Sequence, residues 1–183
     1  QTILASGVNA YGVRVGIDGL VYTANENVIH RIDPGTLQID TFLDAIDQPK
    51  VIDFTADGLH MYVGTNFSDG DLYRVELTAS GDPILPPIHI GQTGGSWHDG
   101  IHVDVCNNVY VNEFWTRSLY LVEPGEPPVQ LIDFAALGTP YDAYGHGMTW
   151  GSGVGSWDEE HVYFPLPYAS NQVMEMDFGI PSR

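Results

Sequence analysis

The chain of 183 residues is long enough for one domain with a sizeable core, and 43% of its residues are hydrophobic. Its 24 acidic residues face only six basic ones, which gives a formal net charge of −18. A surface of this charge repels phosphate backbones, which argues against nucleic acids and anionic membranes as partners. It attracts cations such as calcium, but it also serves as a solubility device, and the composition leaves both explanations open.

The cysteine and lysine content limits which disulfides and metal sites are possible and indicates the cellular location. The single cysteine, Cys106, excludes an internal disulfide and cannot complete a thiolate zinc site. Its valine neighbours Val103, Val105 and Val109 predict a buried, inert thiol. No apolar run approaches the roughly 20 residues that a spanning helix needs. The low lysine content, with abundant Tyr, Trp, Gly and Asn, is typical of exported proteins, so we expect an extracellular or periplasmic location.

Strand and turn signals recur four times along the chain. Short runs rich in Val, Ile, Tyr and Phe alternate with Gly, Pro, Asp and Asn, and a helical turn is predicted only at 133–137. Each unit begins with an extended run, reaches a turn, and continues into a second strand centred on tyrosine. The predicted first strands are 12–15, 51–54, 100–103 and 147–150, and the tyrosines are Tyr22, Tyr62, Tyr110 and Tyr163.

The spacing of these tyrosines predicts the architecture. They lie 40 to 53 residues apart, which is the length of a four-stranded antiparallel blade. Third strands are predicted at 28–33, 72–76, 119–123 and 173–177, and fourth strands at 39–43, 84–90 and 129–132. We therefore predict an all-β protein, a β-propeller of four blade units. Two packed sheets are the alternative, but the common register of the four copies favours the propeller.

We place the four units at approximately 8–47, 48–92, 93–137 and 138–183 of a single propeller domain. The last unit lacks a fourth strand, and an apolar run at 2–5 precedes the first unit. We expect residues 1–7 to act as a closing strand, either in the last blade or in a neighbouring blade of a larger propeller. The chain then closes a ring alone, pairs with a second copy as a homo-oligomer, or belongs to a longer chain with further blades.

Two motifs carry a resemblance to a known family. Asp-Gly-Ile-His-Val-Asp at 99–104, with 108–111, and His-Gly-Met-Thr-Trp at 146–150 resemble the six-bladed propellers of the senescence marker protein and gluconolactonase family. NHL-repeat and streptogramin-lyase propellers are more loosely similar. The resemblance implies a divalent cation, often calcium, at one mouth of the central channel, where it activates a lactone or phosphoester for hydrolysis. It implies Asp99 as a metal ligand.

The chain also departs from that family. Lys50 stands where the family has an Asn ligand, and His146 stands at the corresponding place in the fourth unit. The early Glu-Gly-Pro segment of the family has no counterpart. The departures put the cation site in doubt.

The residues just before each innermost strand are expected to converge on the channel mouth. A phenol, an amine, a carboxylate and imidazoles at one opening suit acid–base chemistry or binding of a polar ligand. We assign Asp99 and His146 as candidate catalytic residues and Asp99 as the candidate ligand of calcium or another divalent cation. The candidate binding residues are Tyr11, Lys50, His98 and Trp97. A solvated channel lined by polar side chains is the alternative.

Two functions of different classes follow. One is a binding or scaffold module that holds a small molecule, a carbohydrate or a protein through the channel mouth and aromatic loops. The other is a metal-dependent hydrolase of lactones or esters that resembles gluconolactonase. The departures from the family favour the binding module. The aromatic residues near strand ends are Trp97, Phe114, Trp115, Tyr141, Tyr144, Trp150, Trp157 and Tyr168. At 69–71, Asp-Gly-Asp predicts a tight turn in preference to a surface calcium site.

Overall fold

The computed structural model describes residues 8, 10–25, 27–66, 68–138, 144–167 and 171–181. Almost all regular structure in these ranges is antiparallel sheet. Blade 1 contains β1 (Gly12–Val15), β2 (Val21–Ala24), β3 (Ile29–Ile32) and β4 (Ile39–Leu43). Blade 2 contains β5 (Pro49–Phe54), β6 (His60–Thr65), β7 (Asp71–Leu77) and β8 (Pro83–Gln92). Blade 3 contains β9 (His98–Val103), β10 (Val109–Glu113), β11 (Ser118–Val122) and β12 (Val129–Asp133). Blade 4 contains β13 (Thr149–Trp150), β14 (His161–Leu166) and β15 (Gln172–Asp177).

Each sheet is a meander in which every strand pairs with its neighbour in sequence. This order confirms the prediction of an all-β propeller with four blade units. The predicted closing strand at 1–7 lies outside the described residues. The innermost strands are β1, β5, β9 and β13, and β5 contacts both β1 and β9. The starts of all four strands line one channel.

The repeated tyrosine of the second strand packs between blades in blades 1, 2 and 3. Tyr22 is buried, and its ring meets Phe42 and Phe54 edge-on, each at 4.9 Å between centroids. Its hydroxyl donates to Asp18 in the preceding hairpin turn at 2.7 Å. Burial, together with the neighbouring carboxylate, raises the pKa of Tyr22 well above its usual value. A tyrosine is suited to this place because its ring packs in the core while its phenol oxygen satisfies the turn.

The blades pack face to face through three clusters of buried apolar side chains. One cluster joins blades 1 and 2, a second joins blades 2 and 3, and a third joins blades 3 and 4. No such cluster joins blade 4 to blade 1 within the described ranges. On the face of β1 that turns away from blade 2, Val13 is 50% exposed and Val15 is 58% exposed. The described part of the chain is thus a row of blades in which β1 leaves its outer face uncovered, whereas Tyr163 in β14 of blade 4 is buried.

The predicted helical turn is present, whereas the predicted burial of the cysteine is not. A short 3-10 helix at Ala135–Leu137 confirms the helical turn, and a second one occurs at Ser68–Gly70. The prediction of a buried Cys106 was wrong, because the thiol is exposed. Its backbone N–H donates to Asp104 within the hairpin turn between β9 and β10, where side chains project into solvent. None of the described helices is long and apolar enough to cross a bilayer.

Candidate binding site at the channel mouth

Four blades bring their leading residues together at one end of the channel. Lys50 lies in β5, Asp99 lies in β9, and His146 lies just before β13. The Lys50 Nζ atom is 2.6 Å from Asp99 Oδ1, and His146 Nδ1 is 2.5 Å from Asp99 Oδ2. The ring of Tyr11, just before β1, has its centroid 6.0 Å from Lys50 Nζ. The structure therefore places Lys50, Asp99 and His146 in one continuous row with Tyr11 beside it.

Trp97 forms a wall of this row. Its indole Nε1–H donates to Asp99 Oδ1 at 3.2 Å, and its ring centroid lies 3.8 Å from Lys50 Nζ, which is a close cation–π contact. Glu113 holds Trp97 in place by accepting a hydrogen bond from its backbone N–H at 2.9 Å. The other Glu113 oxygen accepts the backbone N–H of Thr116. The buried Glu113 is thus a positioning residue that the sequence reasoning missed, although it ends a tyrosine-centred strand.

His146 is held by backbone contacts on both sides. The backbone N–H of His146 donates to the carbonyl of Pro165 in β14 at 3.0 Å. The side chain of Asn112 in β10 donates to the carbonyl of Gly145 at 2.8 Å. Blade 3 and blade 4 therefore fix the segment that carries the imidazole, which is a rigid way to present it beside Asp99.

Lys50 is a charged residue in an enclosed place. Only 4% of its side chain is exposed. Burial lowers the pKa of Lys50, while the hydrogen bond and the charge of Asp99 oppose that effect. The carboxylate and the aromatic faces compensate the loss of hydration of the ammonium group.

His98 does not reach the mouth, although it precedes Asp99. Successive side chains of a strand point to opposite faces, so the direction that brings Asp99 to the channel sends His98 into the body of the blade. There it is fully buried, and its Nε2 lies 2.9 Å from the Thr93 hydroxyl. His98 is therefore placed as an internal residue, away from the candidate site.

A second polar row lies further along the same channel. Asp53 in β5 contacts Arg14 Nε at 3.2 Å and His102 Nδ1 at 3.4 Å. The same carboxylate accepts the backbone N–H of Val103 at 2.9 Å. A cavity of about 120 Å³ with Arg14 and Asp99 in its walls runs between the two rows. It is large enough for a few water molecules or a small ligand group.

Three aromatic rings extend the site outward from His146. Phe114 stacks on Tyr144 at 4.7 Å between centroids, and it meets Trp115 and His146 edge-on at 5.0 Å each. Trp115 is 54% exposed. The Arg117 guanidinium lies 5.5 Å from the centre of the Tyr144 ring. We call Phe114, Trp115 and Tyr144 the aromatic shelf.

The other aromatic candidates lie elsewhere. Trp150 packs in the core between blades 3 and 4, and Trp157 contacts Tyr163 in blade 4 at 4.5 Å. Tyr141 and Tyr168 lie outside the described residues. Of the predicted aromatic residues that the structure describes, Trp97, Phe114, Trp115 and Tyr144 lie near the mouth.

The motif at 69–71 forms the tight turn that the sequence favoured. Asp69 adopts a left-handed conformation with φ of 57°. The Asp71 carboxylate receives the side chains of His89 and Gln92, each at 2.9 Å. These contacts occupy Asp71 Oδ1 in a local network.

The residues at the mouth do not fit the divalent cation that the family resemblance implies. Calcium takes six to eight oxygen ligands. Asp99 directs Oδ1 to the Lys50 ammonium and the Trp97 indole, and Oδ2 to His146. In the described ranges, no group of three or more His, Cys, Asp or Glu side chains is arranged to hold a metal. An ammonium group beside the only channel-mouth carboxylate of this row also repels a second cation.

Comparison with known proteins supports the fold at low sequence identity. No protein-family model matches the chain, and no curated protein is a detectable relative. A gluconolactonase from Xanthomonas campestris superposes with a TM-score of 0.70 at 12% identity, covering 96% of this chain and 59% of the other. Regucalcin of Agrobacterium tumefaciens, described as a calcium-binding protein, gives 0.70 at 13%, covering 93% and 61%. A chain of the nidogen/laminin complex gives 0.71 at 14%, covering 95% and 62%.

The chain spans 50% to 62% of the length of these and other first-ranked structures. The matched proteins include an enzyme, a calcium-binding protein and a chain from a protein complex, so the likeness does not select among their activities. It establishes that this chain has the β-propeller fold shared by the gluconolactonase and regucalcin structures.

Proposed function

We propose that the protein binds a small organic ligand at the channel mouth, with the row of Lys50, Asp99 and His146 as the polar end of the site. The observation that carries this proposal is the row itself, in which three blades contribute one ionisable side chain each at 2.6 and 2.5 Å. Enclosing a lysine is costly, and a merely solvated channel has no need of it. Convergent polar groups beside a cavity are the usual mark of a ligand site.

Charge and shape narrow the ligand class. Three of the six basic residues lie at the channel or the shelf, namely Arg14, Lys50 and Arg117, in a chain of net charge −18. Because these positive charges lie along the channel and the shelf of an otherwise acidic protein, the site favours a neutral or anionic ligand over a cation. The aromatic shelf suits a ring, either aromatic or a sugar. We expect a ring that carries carbonyl, carboxylate or hydroxyl oxygens, free or presented by a carbohydrate or a protein.

Thermal melting and tryptophan fluorescence test the proposal with a fixed panel of glucono-1,5-lactone, gluconate, glucose and benzoate. A panel member that binds the mouth raises the melting temperature, and its affinity falls at least about tenfold in Asp99→Asn or Trp115→Ala. His161→Ala is the control, because His161 pairs with Glu175 on the outer face of blade 4, away from the mouth. The proposal fails if no panel member binds, or if binding is equal in wild type and both mouth variants.

A hydrolase of lactones or esters is the second candidate, and the contact between Asp99 and His146 favours it. The Asp99 carboxylate lies 2.5 Å from Nδ1 and orients the imidazole, although Nε2, the nitrogen that would act as the general base, is buried. The fold shared with a gluconolactonase supports this candidate, although the cation of a metal-dependent hydrolase does not fit the row.

A pH-stat assay with glucono-1,5-lactone tests the hydrolase. Acid release above the spontaneous rate, lost in His146→Gln and unchanged by a chelator, would support a metal-free general base. Activity that requires added calcium would favour the metal-dependent form instead. A rate equal to the blank would remove the enzyme from consideration. The acidic, lysine-poor composition supports an extracellular or periplasmic site of action, which fractionation of producing cells tests.

A further inference from the structure

We infer that the Lys50 ammonium group is the resident cation of the channel mouth, held in the place beside Asp99 that a divalent cation would otherwise take. This role of Lys50 does not depend on which organic ligand the protein binds.

The surroundings of Lys50 are those of a cation-binding box. The Nζ atom lies 2.6 Å from Asp99 Oδ1 and 3.8 Å from the centre of the Trp97 ring. Tyr11 supplies a second aromatic face at 6.0 Å. A carboxylate and two aromatic rings all attract positive charge, and together they replace the water that the buried ammonium has lost.

Lys50 is also the only lysine in the sequence; the other basic residues are arginines. An ammonium is a compact charge that fits between a carboxylate and two rings, whereas a guanidinium is larger and planar. The one lysine thus stands at the one described place where a compact cation is enclosed by a carboxylate and aromatic faces.

A second carboxylate shares the neighbourhood. Glu113 is fully buried, and its charge attracts Lys50. Its two oxygens accept the backbone N–H groups of Trp97 and Thr116. Asp99 and Glu113 together carry two negative charges, of which the ammonium balances one.

Removing the ammonium group therefore leaves the two carboxylates without the nearby positive charge of Lys50. A neutral side chain at position 50 leaves Asp99 and Glu113 with no compensating lysine, and Lys50→Asn would also add an amide oxygen of the kind that calcium binds. The variant is expected to bind a divalent cation that the wild type excludes. Lys50→Arg keeps a positive charge and is expected to exclude the cation as the wild type does.

The test measures melting temperature in calcium and in a chelator for the wild type and the position-50 variants. We expect no calcium response in the wild type or in Lys50→Arg, and a saturable rise of several degrees in Lys50→Asn. The double variant Lys50→Asn/Asp99→Asn should lose the rise. Lys50→Gln serves as a second neutral variant if Lys50→Asn does not fold.

Terbium luminescence gives a readout at the site itself. A terbium ion bound beside Trp97 would be sensitised by that indole in Lys50→Asn, and the emission should fall when Trp97→Phe is added. Two results would overturn the inference. One is an Asp99-dependent calcium or terbium response in the wild type. The other is a folded neutral variant at position 50 that binds neither ion.

Discussion

Arg14 and Asp53 form an ion pair of 3.2 Å between blade 1 and blade 2, one layer along the channel from the pair of Lys50 and Asp99. In both layers one blade supplies a cation, the next blade supplies an aspartate, and the blade after that supplies a histidine. His102 Nδ1 lies 3.4 Å from Asp53 and completes the second polar row, which we call the inner row. The repeat therefore lines the channel with two rows, each of a basic residue, an aspartate and a histidine, that are offset by one blade.

The inner row predicts a large effect of Asp53→Ala on stability. Only 1% of the Asp53 side chain is exposed, and its loss leaves the Arg14 guanidinium and the Val103 N–H without their carboxylate partner. We expect the free energy of unfolding to fall by about 3 kcal/mol, measured by chemical denaturation.

The surface pair of Arg31 and Asp82 provides the control. Its atoms are 3.3 Å apart, but 58% of the Asp82 side chain is exposed. Asp82→Ala should change stability by less than about 1 kcal/mol. Equal effects of the two substitutions would show that the Asp53 contacts contribute no more than an exposed pair.

The propeller and the meeting of four leading residues could be predicted because both follow from the repeat. Once Tyr22 and its equivalents mark the second strands, the residues ahead of the first strands must surround the axis. Arg14, Asp53 and His102 each lie three residues beyond a leading residue, and the two-residue period of a regular strand assigns that position to the opposite face. Register shifts at Lys50 in β5 and at Asp99 in β9 interrupt the alternation, and no local pattern indicated them.

Other features depend on contacts between distant parts of the chain and had no local signal. The burial of Glu113 against the backbone of Trp97 is one of them. The direction of His98 did have a local signal, since neighbours in a strand face opposite ways. Cys106 was misplaced because its valine neighbours suggested a strand, whereas Asp104 closes a turn there.

His98 predicts a loss of stability in mild acid. Burial lowers the pKa of His98 from 6.5 to about 3; the charge of Lys50 adds to the effect, and Asp71 opposes it. Below pH 6.5 the unfolded chain takes up a proton at this residue and the folded chain does not. The free energy of unfolding should therefore fall between pH 6.5 and pH 5 by up to about 1.4 kcal/mol per pH unit from this group.

Denaturation of His98→Gln across that pH range checks the prediction, because the variant should show a shallower slope. His161→Gln is the matched control. The hydrogen bond to Glu175 raises the pKa of the partly exposed His161, so its contribution is present below pH 6.5 and is lost as the pH rises. A slope that His98→Gln leaves unchanged would assign the acid response to other groups.

Gly100 marks the closest approach of blades 3 and 4 at the channel. A methyl group at this position would lie 2.9 Å from the backbone of Gly147 and Met148, where neither strand can yield cheaply. Gly100→Ala should lower the free energy of unfolding by about 1–3 kcal/mol, measured by denaturation. Gly35→Ala, in an exposed turn, should stay within about 0.5 kcal/mol, and equal losses at both positions would contradict the close packing of the inner strands.

We expect the uncovered face of blade 1 to tolerate charged side chains. Val13 and Val15 point away from blade 2 and are largely exposed, so replacing both by lysine removes little buried apolar surface. If the chain is a monomer with an open face, Val13→Lys/Val15→Lys keeps the stability of the wild type to within about 1 kcal/mol and leaves the mass in solution unchanged.

The matched substitution Val63→Lys, in the buried cluster between blades 1 and 2, should abolish folding because it places an unpaired charge in the core. Light scattering and denaturation of the three proteins separate the arrangements. A wild type of twice the chain mass that becomes a monomer in the double-lysine variant would show that a second copy covers the face. A monomer that the double-lysine variant strongly destabilises would show instead that another part of the same chain covers it. Either result would contradict an open row of blades, since only an uncovered sheet face accepts two lysines without a change in stability or mass.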